Sequence, residues 1–172
     1  MKKIFIPIVV IFLLGGCGGG GSSSGADSNS RNIATTVAAA DGPWAGNWTN
    51  VSFSTTGTVS LDVTDIPGAE TVTLTLDLNG SVFGRGDPAP IILIATYPGD
   101  VAQGVAHTAL GIVSMTLTAD GDISGTMTSV PVAGIDSVHY SGTVTSGAVN
   151  IAYSIVFTDG TTANGTLNLL KT

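Results

Sequence analysis

Along much of the chain, hydrophobic residues fall on every other position. From Thr71 to Asn79, Val72, Leu74, Leu76 and Leu78 alternate with Thr71, Thr73, Thr75 and Asp77. Side chains of an extended strand point alternately to opposite faces, so this segment predicts a half-buried strand with one aliphatic and one polar face. The same period of two runs through Val59, Leu61 and Val63, through Val113, Met115 and Leu117, and through Val149, Ile151, Tyr153, Ile155 and Phe157. Short turns separate the later segments: Ala119-Asp120-Gly121-Asp122, Ser146-Gly147 and Asp159-Gly160. Asp-Gly steps tolerate the positive φ that tight hairpins demand, so from Ile112 onward the pattern predicts a meander of antiparallel neighbours. Two segments depart from it. Ile91 to Ala95 is continuously apolar, which predicts burial on both faces, and Asp100 to Leu110 is Ala-rich enough for either a strand or a short helix.

Eight to ten strands and no long helix predict an all-β domain. An antiparallel up-and-down β-barrel is the reading that sequential hairpins favour, with a two-sheet β-sandwich as the alternative. A lipid-spanning barrel would turn its apolar residues outward and carry girdles of aromatics. Aromatics are only 6% of this chain, so the dry faces are expected to point inward. The Leu and Met positions are large enough to fill a small barrel, which favours a packed interior over a cavity.

The N-terminal region follows other rules. Lys2 and Lys3 precede an unbroken apolar stretch from Ile4 to Leu14, then Gly15, Gly16 and Cys17. That order is a secretory signal, and the stretch is shorter than the roughly 20 residues needed to span a bilayer. Leu14-Gly15-Gly16-Cys17 resembles the bacterial lipobox, although Gly15 stands where Ala, Ser or Thr is commoner. The resemblance implies removal of residues 1–16 and lipidation of Cys17, with Gly18 rather than Asp directing the protein to the outer membrane. Cys17 is the only cysteine, so no disulfide can form within the chain. Gly18 to Ala40 is low-complexity, and residues 17–42 are expected to be a lipidated cysteine with a flexible tether spanning roughly 25 Å. The β domain is expected over 43–172.

Without Lys2 and Lys3, three cations (Arg31, Arg85, Lys171) face twelve acids, a side-chain charge of −9. Three scattered cations give no footprint for phosphate backbones, so nucleic acid is excluded as a partner. The expected partners are the membrane, through the lipid, and either an apolar small molecule or an envelope protein.

Gly42-Pro43-Trp44-Ala45-Gly46-Asn47-Trp48 resembles the Gly-x-Trp opening strand of lipocalin-like and avidin-like barrels, in which the indole plugs the closed end. The chain lacks the Thr-Asp-Tyr turn and disulfide of the first family and the further tryptophans of the second. The resemblance implies an interior ligand site, for which Trp48, Leu74, Leu76, Tyr153 and Phe157 are the candidates.

Catalytic material is sparse: His107, His139 and a single glutamate, Glu70. Asp136, Ser137 and His139 lie close together, but the nucleophile turn Gly-x-Ser-x-Gly is missing, and a strand-entering turn explains them better. Asp120, Asp122 and Ser124 are spaced like the start of a calcium loop, yet Pro131 stands where the closing Glu is required. Arg85-Gly86-Asp87 lies in a turn-rich loop and is read as a solvated turn. The chain is therefore expected to be non-catalytic, with no metal and no cofactor.

Overall fold

The computed structural model describes residues 32–172. The signal stretch, Cys17 and the tether as far as residue 31 lie outside the described residues. From the N-terminal side come a helix α1 (Ile33–Ala40) and ten strands: β1 (Gly42–Asn50), β2 (Thr55–Ile66), β3 (Thr71–Leu78), β4 (Ile91–Thr96), β5 (Val101–Thr108), β6 (Gly111–Thr118), β7 (Asp122–Thr128), β8 (Ile135–Val144), β9 (Ala148–Phe157) and β10 (Thr162–Lys171). Each strand pairs antiparallel with its sequence neighbours, and β1 pairs with β10 from Trp44↔Lys171 to Asn50↔Gly165, closing an up-and-down barrel. The sandwich alternative is thereby set aside.

The alternating residues behave as their period demands. Val59 and Val63, Val72, Val113, Met115 and Leu117, and Val149 and Ile155 are buried in one core, against which Leu61, Leu74, Leu76, Leu78, Ile151, Tyr153 and Phe157 pack. Asp100–Leu110 resolves as a strand. Its buried positions, Ala102 and Ala106, are small. Ile91 to Ala95 is corrected: Ile91, Leu93 and Ala95 are buried, but Ile92 and Ile94 are each 59% exposed on the outer wall. An unbroken apolar run here marks an apolar patch outside the barrel, not a strand covered on both sides.

The tether reading is also corrected at its C-terminal end, where residues 33–40 form a helix. Asn32 caps it by accepting a hydrogen bond from the Ala34 N–H at 3.0 Å. Ile33, Val37 and Ala40 share one helix face and are buried against the barrel end, worth about 2 kcal/mol for each of the two larger side chains. Thr36 Oγ1 donates to the Ala119 carbonyl at 2.6 Å, and Lys171 Nζ donates to the Ala39 carbonyl at 2.8 Å. The helix is the barrel's plug, so the domain begins before residue 43.

Three aromatic residues stand directly opposite glycines on the neighbouring strand: Trp48↔Gly57, Tyr140↔Gly125 and Tyr153↔Gly165. Each crosses its glycine and donates to a carbonyl one strand further on. Trp48 Nε1 reaches Asn79 O at 3.0 Å, the Tyr140 hydroxyl reaches Ser114 O at 2.7 Å, and the Tyr153 hydroxyl reaches Thr49 O at 3.1 Å. A side chain on the glycine would occupy the crossing. At Gly125 a Cβ would sit 2.0 Å from Ser114 O and 2.4 Å from the Tyr140 hydroxyl. Gly125→Ala is expected to destabilise the barrel by about 3 kcal/mol, through overpacking and a displaced hydrogen bond, read as a lower urea midpoint.

Candidate functional site

Ten tilted strands enclose more space than their inward side chains fill. The interior holds a cavity of about 560 Å³, within the range typical of small-molecule sites. The expectation of a packed interior is corrected on this point. Large residues do line the wall, but the barrel has ten strands, at the upper end of the expected number, and its diameter grows with strand number.

The cavity runs the length of the barrel. Val37 and Ala40 of the plug helix and Trp44 of β1 form its floor, while Phe53, Val82, Phe83, Val132 and Phe157 surround the opposite end. On β1 the lining extends from Trp44 to Asn50, about 20 Å along the strand and about 15 Å along the axis after allowing for tilt. Trp44 is 2% exposed and donates from Nε1 to the Ala40 carbonyl at 2.8 Å, with Lys171 Nζ 5.4 Å from its ring centre. At the mouth Phe53 meets Phe157 edge-to-face with centroids 6.1 Å apart. The loop between β3 and β4 turns inward so that Ser81, Val82 and Phe83 line the cavity, and Asp87 ties the loop by accepting from the Gly80 N–H at 3.0 Å.

All five sequence-predicted ligand residues, Trp48, Leu74, Leu76, Tyr153 and Phe157, line this cavity. Among the described residues no charged side chain does. Apart from tyrosine hydroxyls and the indole N–H groups, its polar side chains are Asn50, Thr55 and Ser81, all at the mouth. Asn50 is buried and accepts from the Phe53 N–H at 3.0 Å. Burial raises the pKa of the nearby Tyr153 hydroxyl, against an opposing hydrogen bond from Asn50. The site can therefore hold an apolar body along its length and meet a polar end only at the mouth. Sequence reasoning missed Phe53, Phe83 and Val132, which sit in connecting loops that carry no periodic signal.

Burial likewise pushes the Tyr140 hydroxyl up to about 12. Tyr97 is raised to about 12 first by the hydrogen bond to Asp65, at 2.6 Å, and then by burial. Unfolded tyrosine gives up its proton near pH 10, so folding stability is intact below that value and falls as pH rises toward 12. Urea midpoints taken across this window should drop, and Tyr140→Phe should remove part of the drop.

The remaining candidates lie elsewhere. Ser137 Oγ donates to the Asp136 carboxylate at 3.2 Å and lies 3.3 Å from His139 Nε2. This places the serine, not the histidine, in the middle of the chain of hydrogen bonds, and the group sits beside a bulge on the outer wall. His107 shares a row with Ser137 but stands three strands away, about 14 Å. Asp120 and Asp122 belong to the β6–β7 hairpin, where the Gly121 N–H donates to Thr118 O at 3.0 Å. Among the described residues no group of three or more His, Cys, Asp or Glu side chains is placed to hold a metal ion. No family model matches the sequence, and no curated protein is similar to it.

Proposed function

We propose that this protein is a lipid-anchored envelope lipoprotein, tethered through Cys17 to the outer membrane, whose barrel carries an apolar small molecule in its lumen. The observation that supports the reading is the cavity itself: about 560 Å³, lined among the described residues by no charged side chain, with Asn50, Thr55 and Ser81 gathered at the mouth. An apolar lumen of that size leaves its lining side chains short of packing partners, which an apolar ligand would supply. Leu14-Gly15-Gly16-Cys17 supports the anchor, and the weak likeness to lipocalin-like barrels agrees with a carrier. No residue is assigned a catalytic role.

Native mass spectrometry of the protein released gently from its own host's envelope tests the reading. An extra small mass that disappears on denaturation is expected and would identify the cargo. A bare mass, together with no uptake of added apolar probes, would overturn it. A second reading, an adhesive module for a protein partner, draws on exposed Ile92, Ile94 and Val105 on the outer wall. It predicts instead a co-purifying protein that is lost on Ile94→Lys.

A further inference from the structure

The barrel wall is not equally closed all round. Nine of its ladders run for six to nine residue pairs, but β4 and β5 pair only at Ala95↔Gly104 and Thr96↔Gln103, next to the plugged end. Continued in the same register, Ile94, Leu93, Ile92 and Ile91 would face Val105, Ala106, His107 and Thr108, and none of these pairs forms. The Tyr97 N–H donates toward β3, to Glu70 O, so by alternation the backbone groups of Ile92 point the other way, into the seam, as do those of His107 from β5. The seam thus carries no ladder pair from the mouth down to Gly104.

Its inner lips are apolar, and its outer lips carry three aliphatic side chains beside the exposed His107. Inside, Ile91 and Leu93 line the cavity, and the facing strand carries only Ala102, Gly104 and Ala106. Gly104 brings the strands close, since a Cβ there would lie 2.7 Å from Leu93 Cδ2. Outside stand Ile92, Ile94 and Val105, about 60% exposed. Parting a fully laced wall breaks a whole ladder, whereas parting this one breaks no ladder pair above Gly104 and displaces small side chains on β5.

We propose that the β4–β5 seam parts at the mouth, and that through it the lumen takes up one hydrocarbon chain of an amphiphilic lipid whose bulky polar head stays outside. This rests on the lumen being a ligand site. An amphiphile keeps its head out of an apolar lumen by either route, and the seam gives its chain a sideways path that avoids threading end-on past Phe53, Phe83 and Phe157 at the mouth, with the head coming to rest near Asn50 and Ser81.

Uptake of lysophosphatidylcholine with a brominated chain tests this, because Trp44 and Trp48 both line the lumen and bromine quenches their fluorescence. The double variant Ile92→Cys/His107→Cys is made in the full chain with Cys17→Ser, so that the engineered thiols are the only ones. Oxidation should slow quenching by about tenfold or more while leaving its final extent unchanged, and reduction should restore the rate. A crosslink across the complete β6–β7 ladder, Thr116→Cys/Ser124→Cys, should leave the rate alone. Equal rates with the seam locked and free would overturn the slit and leave the carrier standing. No quenching in any form, the unsubstituted chain included, would overturn both. Hydrogen exchange on the unsubstituted chain needs no variant: the amides of Ile92, Ile94 and His107 should exchange faster than those of β6 or β9, and equal protection would sink the seam.

Discussion

Trp44→Ala is expected to destabilise the domain by about 4 kcal/mol, a large part of the total of a small barrel. Three losses combine at this position. The indole is almost wholly buried between the plug helix and the barrel floor, so its removal leaves a cavity. Its Nε1–H satisfies the Ala40 carbonyl, one of the free carbonyls at the end of α1. Its face also holds the Lys171 ammonium, which in turn donates to the Ala39 carbonyl and pins the helix. Trp44→Phe keeps most of the packing and should cost only about 1–2 kcal/mol for the orphaned carbonyl. Urea denaturation followed by circular dichroism gives both values. A loss below about 1 kcal/mol for Trp44→Ala would mean that the helix is not part of the cooperative unit.

That helix also shows where the sequence is and is not legible. Period-two alternation identified the strand faces at Thr71–Asn79 and Val149–Phe157, because in a closed barrel each strand has one dry face and the pattern records it directly. The helix reads as tether from sequence because Gly, Ser and Ala dominate residues 18–40. Its signal, Asn32 followed by Ile33, Val37 and Ala40 at helical spacing, is only two turns long. Ile91–Ala95 misled for a different reason: composition does not tell an apolar outer patch from a covered face. The aromatic crossings over Gly57, Gly125 and Gly165 need strand register, which no single strand contains. The same holds for the β4–β5 seam. The size of the lumen depends on strand number and stagger, so residue volumes alone suggested a filled interior.

Filling that lumen should separate binding from stability. Leu74 on β3 and Ile151 on β9 line the cavity at mid-height from widely separated parts of the wall, four ladders apart around the barrel. Leu74→Trp/Ile151→Trp places two indoles across the path of any ligand. The added atoms occupy empty volume instead of packed core, so stability is expected to hold or to rise by about 1 kcal/mol. Affinity for a lumen ligand is expected to fall by about 100-fold, equivalent to ~2.7 kcal/mol. Titration with a fluorescent apolar probe beside urea denaturation measures both in one preparation. A core that is merely loosely packed would gain the stability with no binding to lose, and a ligand held on the outer wall would keep its affinity. Only a lumen kept empty for a guest moves the two quantities in opposite directions, because there the volume that costs the folded state its packing contacts is the volume that the ligand fills.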